Sequence, residues 1–419
     1  MRVQRPDVMS YRQSVIILGQ TVTASQRDNT LPTIARTTFM KFDLFYELSV
    51  PALGGRSEAQ VFHDTLAELE LAEQCGFNAA WFVEHHFIRE YSHSSVPDLL
   101  LAAASQRTQH LRLGYGIIPL PYHHPVHTAE RIATLDILCN GRVEFGFGRG
   151  FSPLEYDCFN ADMAQSRHIT SEALQIILQS FSPQPVNFSG QHFQLSNIDV
   201  IPKPIQQPHP PLWSAAVSPD SFTHAARLGV GVLAGPFKPW FMIRQDIKRY
   251  HQAWREHQTA TAATSDNRQP HTGMTVAMFC LEDGRQARAL AREGVEWFYR
   301  ALLQQTRPVL EKLYTSYEHY RDLGRYRFLL DKIINLPLLE KLGMVIVGDP
   351  QHCIKQLSAL QSAGVSRVLC AMGAGALDTQ LVQQSLRVMA TQVIPAFDQP
   401  PLPSPPPAVA SKKTHKQPA

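Results

Sequence analysis

Three short stretches of this 419-residue chain gather side chains that move protons or hold anions. Glu84-His85-His86-Phe87 sets a carboxylate beside two imidazoles. An imidazole changes charge at about pH 6.5, so such a group suits acid-base work near neutrality. Pro121-Tyr122-His123-His124-Pro125 adds two more, with His127 close behind. GFGRG, Gly146 to Gly150, ends in Gly148-Arg149-Gly150. Its glycines permit close backbone approach to a flat or anionic ligand, and Arg149 adds a fixed positive charge with several donors. Arg167 opens the next helical region, and Ser218 and Ser221 flank the start of a later helix, whose free amides and dipole favour phosphate. Two arginines beside a serine-capped helix start make a monophosphate cradle. A metal site is the competing reading of the histidines, because Glu84 and His86 share a strand face and His123, His124 and His127 are close in sequence. Against it, no HExxH is present, and adjacent histidines in a strand point to opposite faces.

The elements that position these groups are β-rich apolar runs alternating with amphipathic segments. Eight runs read as strands: 42–48, 79–86, 111–118, 142–148, 211–217, 230–235, 274–280 and 367–373. Ser57 reads as the N-cap of the first helix and Gly76 as its end, and Gly141, Gly229 and Gly364 follow three others. Nearly continuous apolar strands between helices indicate a parallel sheet covered on both faces. Eight such units predict an α/β fold of the (β/α)8 TIM barrel type, with an open doubly wound sheet as the alternative. In a barrel, the Glu84, His123 and Arg149 stretches all fall at the C-terminal strand ends, where barrels carry their chemistry. Residues 182–210 read as a small hairpin excursion. Residues 283–345, between the seventh and eighth strands, read as a helical insertion over the catalytic face, carrying the aromatic cluster Tyr314, Tyr317, Tyr320, Tyr326 and Phe328.

Composition narrows the function classes. The net charge is +3, and no run of five like charges occurs, which argues against nucleic acid or an anionic membrane as partner. No apolar stretch approaches the roughly 18 residues of a membrane span, and Val15 to Leu18 is too short for a signal-peptide core. The six cysteines form no CxxC pair, so a reducing cytoplasm is expected. Residues 1–39 are polar and aperiodic, and 398–419 are proline-dense before a basic stub, so both read as disordered ends around a folded body of 40–397. Trimming to that body should leave folding intact.

Taken in order, WFVEHHF (81–87), RLGYGIIPLPYHHPV (112–126), LDILCNGRVEFGFGRGF (135–151), DMAQSR (162–167) and VGDPQHCIKQLSALQSAGVSRVLCAMG (347–373) resemble the bacterial luciferase-like, flavin-dependent monooxygenases across residues 40–397. The resemblance implies a (β/α)8 barrel that uses reduced FMN, supplied by a separate NAD(P)H flavin reductase, and works as a homodimer or a heterodimer with a paralogue. Arg149, Gly150, Arg167, Ser218 and Ser221 match positions around the FMN phosphate. Gly116-Ile117 matches the dipeptide beneath the flavin ring, commonly a non-prolyl cis peptide in this family. Glu84 matches a position by the flavin edge, and His85 matches the acid-base histidine. Gly148 stands where the luciferases carry a reactive cysteine, and Val217 stands where they carry a glutamate, so light emission is not implied. The expected activity is oxygenation of an organic, partly apolar substrate. A flavin or deazaflavin oxidoreductase that transfers hydride, and a flavin-binding protein without turnover, are the alternatives.

Overall fold

The computed structural model describes residues 39–260, 269–316, 334–375 and 377–397. Eight parallel strands close on themselves in the order β1 (Lys41–Tyr46), β2 (Ala79–Val83), β3 (Arg112–Pro119), β4 (Val143–Gly148), β7 (Leu212–Ala216), β8 (Gly231–Ala234), β9 (Thr272–Cys280) and β11 (Arg367–Ala371). The last joins the first, Leu369 pairing with Asp43, which in turn pairs with Ala79 of β2. Closure leaves no open edge among these eight, and the (β/α)8 barrel replaces the open-sheet alternative. The strands run short of the apolar stretches that announced them, since pairing stops where the chain turns out toward the helices. In particular β2 ends at Val83, so Glu84, His85 and His86 stand on a loop rather than on alternate strand faces.

Helices α1 (Glu58–Gln74), α2 (Pro97–Ser105), α3 (Pro125–Leu138), α5 (Ser166–Ser180), α6 (Pro219–Leu228) and α7 (Trp240–Ala260) fill the successive crossovers, with α4 (Pro153–Cys158) a short extra helix before α5. Ser57 caps α1 through a reciprocal capping box with Gln60, and Gly229, at φ 67, ends α6 in the left-handed region that L-residues avoid. The excursion after α5 is an antiparallel hairpin, β5 (Val186–Ser189) with β6 (Gln194–Ile198). The stretch expected as a helical insertion holds α8 (Gly284–Ser316) and α9 (Leu336–Lys341), and a further parallel strand begins at its end. This is β10 (Val345–Gly348), which pairs with the second half of β9 while β8 takes the first half. The side chains of the expected aromatic cluster lie outside the described residues. The chain finishes with α10 (Pro350–Ser362) leading to β11, and then α11 (Thr379–Val388). Of the end segments only Phe39 is described.

The barrel floor is charged. Arg367 lies between Asp43 (2.7 Å) and Glu144 (3.4 Å), with its guanidinium over the rings of Trp81 and Trp213. The two indole N–H groups donate to the same two carboxylates, each at 2.7 Å. Above this plug the inward side chains of Trp81, Trp213, Leu233 and Leu369 form a separate apolar cluster, against which Ile117 packs half-buried.

Candidate active site

The bottom of the mouth is set by an irregularity in β3. Tyr115 pairs with Phe82 but Ile117 pairs with Val83, so Gly116 is an extra residue against β2. A Cβ there would sit 3.2 Å from the Phe82 carbonyl and the Val83 nitrogen, tighter than side chains normally pack. Glycine therefore permits the bulge, and the bulge re-aims Ile117. The cis peptide expected at Gly116-Ile117 is not formed. The cis bonds among the described residues precede Pro202 and Pro208.

Glu84 follows β2 and is buried, its side chain 1 % exposed. Its Oε1 accepts from His123 Nε2 at 2.5 Å and from His86 Nε2 at 3.3 Å, while Arg131 Nη2 lies 3.8 Å from Oε2. A carboxylate only accepts, so both imidazoles must present N–H to it. Arg131 only donates, and its Nη1 lies 3.2 Å from His123 Nδ1. Asp98 anchors Arg131 at 2.5 Å and accepts from the Tyr115 hydroxyl. Burial pushes the Glu84 carboxyl up, but the hydrogen bonds from His123 and His86, and then the electrostatic pull of His123 and Arg131, outweigh it, and its pKa falls below the usual value. Glu84 is thus an anchored anion at the mouth of the barrel.

His85 points elsewhere. Its Nδ1 donates to Glu155 Oε1 at 3.3 Å, its Nε2 lies 4.0 Å from Glu47 Oε2, and Phe151 meets the ring edge to face at 5.2 Å. Glu155, at the start of α4, also accepts the His86 backbone N–H (2.8 Å) and the Tyr122 hydroxyl (3.0 Å), tying together the loops after β2, β3 and β4. Gly150 makes this possible, since a side chain there would collide with the Tyr122 hydroxyl. Burial lowers the His85 pKa, yet the bond to Glu155 and the charges of Glu47, Glu155 and Glu84 more than reverse this, and the net shift is upward.

Arg149 and Arg167 stand apart from this cluster, exposed, and their guanidiniums have no hydrogen-bond or ion-pair partner among the described residues. Both act on one probe: burial first, then the charges of Arg167, Arg227 and Arg149, lower the pKa of His224 in α6. The N-terminus of α6 is capped by Ser218, whose hydroxyl accepts from the Ser221 N–H, while the Ser221 hydroxyl accepts from the Ser218 N–H at 3.0 Å. The expected residues therefore fall into two groups, Glu84 and His85 among the buried carboxylates and imidazoles of the mouth, and Arg149 and Arg167 with the serine-capped α6, whose first turn also carries Asp220. Gly116 and Ile117 lie on the inner strand. No group of three His, Cys, Asp or Glu among the described residues has metal-holding geometry.

Sequence reasoning missed Glu47, Tyr91, Asp98, Arg131 and Glu155. Glu47 follows the first strand, and the rule that barrel strand ends carry chemistry could have flagged it. Glu155 stands three residues after Ser152, a helix-cap pattern that hid its second task. A cavity of about 550 Å³ adjoins the cluster, walled by Phe87, Tyr91, Leu154, Trp297, Gln304 and Gln305 among others.

The profile of the luciferase-like monooxygenase family matches residues 40–367. Among curated proteins, the chain is 36 % identical over 178 residues to the uncharacterized protein y4wF of Sinorhizobium fredii, a match that covers 42 % of this chain and 52 % of that one. The chain thus spans about half the length of that relative. It is 23 % identical to the oxygenase component of the flavin-dependent trigonelline monooxygenase of Acinetobacter baylyi, over 86 % of this chain and 96 % of that protein. Among solved structures, the oxygenating constituent of 3,6-diketocamphane monooxygenase from Pseudomonas putida, in complex with FMN, shares the fold with a TM-score of 0.69 at 20 % identity, over 85 % of this chain and 98 % of that one.

Proposed function

The chain belongs to the luciferase-like monooxygenase family, and from that premise we propose that it is the oxygenase of a two-component system. In this reading it takes reduced FMN from a separate NAD(P)H flavin reductase and uses O2 to oxygenate an organic, partly apolar substrate. The observation that carries the reading is the pair of unpartnered guanidiniums, Arg149 and Arg167, that act together on His224 beside the capped start of α6. Exposed cations with no anion paired to them fit a phosphate monoester, and FMN carries one where riboflavin does not. The relative named as an oxygenase component supports a separate source of reduced flavin.

Reduced flavin, when bound, supplies the electrons that activate O2. The residues of this chain do the rest. Arg149, Arg167, Ser218, Ser221 and the α6 amides hold the phosphate, with Gly150 shaping the loop that carries Arg149. Ile117, packed on the tryptophan floor, and Gly116 beside it give the ring an apolar support. Glu84, fixed by His123, His86 and Arg131, places a negative charge near the ring edge without titrating near neutral pH. His85 holds and moves a proton at Nε2 while its Nδ1–H stays with Glu155. Phe151, packed on His85 and edge to face with Phe237 at 6.3 Å, adds apolar cover to the His85 ring. The 550 Å³ cavity, apolar at Phe87, Leu154 and Trp297 and polar at Gln304 and Gln305, takes the substrate.

Anaerobic titration tests the cofactor. Reduced FMN should bind at least tenfold more tightly than reduced riboflavin, one charge-assisted contact being worth about 1.5–3 kcal/mol. Equal affinities would remove the phosphate cradle from the account.

A further inference from the structure

Glu47 is a buried carboxyl with half of its bonding capacity unused. The side chain is 8 % exposed; its Oε1 accepts from the Tyr91 hydroxyl at 2.9 Å, and its Oε2 has no hydrogen-bond partner. The nearest charged neighbour of that oxygen is the Nε2 of His85, 4.0 Å away. An ionised, unpartnered oxygen in such a place carries a desolvation cost that a proton on it, or a positive charge opposite it, removes. His85 is in the complementary position. Its Nδ1–H is committed to Glu155, so its Nε2 is the one nitrogen with a choice.

We propose that Glu47 is the proton-exchange partner of His85, the two groups sharing a single proton once the 4.0 Å gap between Oε2 and Nε2 is closed by side-chain rotation or bridged by one water. In one state Glu47 is a neutral acid and His85 a neutral imidazole; in the other Glu47 is a carboxylate and His85 an imidazolium. From the first state the proton on Oε2 passes to Nε2, His85 gives it up from there, and the carboxylate left behind is held by the Tyr91 hydroxyl. The next proton that arrives reverses the sequence. His85 is thereby recharged within the barrel mouth rather than by direct exchange with solvent. Tyr91 also lines the 550 Å³ cavity, so the outer contact of the pair is the space assigned to substrate.

The surroundings favour one shared proton over two or none. On the His85 side stand Glu155 and, farther off, Glu84; on the Glu47 side stand Tyr91 and, across a small void, Tyr46, Arg56 and Glu68. Burial raises the Glu47 carboxyl, and the carboxylates raise His85 in spite of burial, so the proton affinities of the two groups approach each other. Groups coupled this closely titrate as a pair.

The inference deepens the acid-base reading of His85 and rests on it. Its test is therefore made on the flavin-free full chain, where failure of the pair and failure of flavin binding are separate results. Histidine labelled with 13C and 15N gives the ring titrations by NMR. In wild type His85 should titrate above the ordinary histidine range with Nδ1 protonated throughout. In Glu47→Gln its pKa should fall by about one to three units, the usual effect of losing an opposite charge at this range. An unchanged His85 titration would overturn the proposal. Should E47Q fail to fold, the chain with Glu47 intact still decides. With 13C-labelled glutamate in a Glu68→Gln background, which removes the other glutamate pushed up by burial, a protonated-carboxyl infrared band should change in step with the His85 ring signals, with the same apparent pKa. A band that moves independently of His85, or no such band at any pH where His85 is neutral, would equally overturn it.

Discussion

Replacing Arg167 with alanine should weaken FMN binding and leave riboflavin binding almost unchanged. The guanidinium is exposed at the first turn of α5 and has no partner among the described residues, so its loss removes no contact of the protein with itself. A charge-assisted hydrogen bond to phosphate is worth about 1.5–3 kcal/mol, and at about 1.4 kcal/mol per decade that is a 10- to 100-fold loss. Exposure places the expected value near the lower end, and the loss should shrink as salt is raised. Arginine is the better probe because Ser218→Ala would also remove the α6 cap, at about 1 kcal/mol of stability. Fluorescence titration of both flavins at low and high salt reads the difference, and the thermal midpoint of the flavin-free variant should match wild type. Bound phosphate should also raise the depressed pKa of His224, readable by NMR. Equal losses for FMN and riboflavin, or no loss for either, would refute the reasoning.

Other perturbations separate the remaining parts. His85→Ala should cost 10² to 10⁴-fold in turnover, the usual worth of an acid-base group, with less than about a tenfold change in flavin affinity, while His86→Ala, which removes one donor to Glu84, should cost less; steady-state rates with saturating reduced flavin distinguish them. Glu68, pushed from its usual 4.5 to about 7 by burial against the pull of Arg56 and Tyr46, binds its proton more tightly in the folded chain. Its contribution is thus full below about pH 4.5 and is lost as pH rises through 7, so Glu68→Gln should gain about 2.5 kcal/mol relative to wild type between pH 5 and pH 8 in denaturant unfolding. Arg367→Met should cost about 3–5 kcal/mol in the same assay, because it leaves Asp43 and Glu144 buried with the cation between them gone.

The barrel was legible because its signal is local. Strands such as β4 and β8 are buried throughout, so every residue in them reports the fold. Strand β10 escaped because four residues at the end of an expected insertion carry too little pattern to set apart. The site was half legible. Glu84 and His85 are adjacent, and the Arg149 motif sits at a strand end, but the partners that decide their protonation come from far along the chain. Glu47 and Glu155 lie on opposite sides of His85 only because closure brings the ends of the first and fourth strands together. Likewise Asp43, Glu144 and Arg367 read as ordinary strand charges until the barrel stacks them beneath two tryptophans. Glu84 and His86 do meet while His85 turns the other way, as alternation would have it, although the strand has already ended at Val83.

The central claim, that this chain directs O2 at reduced flavin to an organic substrate, is tested most directly by mixing the anaerobic reduced-FMN complex with O2 while following dissolved oxygen and oxidised-flavin absorbance together. An oxygenase should take up one equivalent of O2 well before the oxidised absorbance returns, and an apolar organic substrate that fits the cavity should hasten that return. Simultaneous uptake and reoxidation at the rate of free reduced FMN would contradict the account and favour hydride transfer or simple flavin binding.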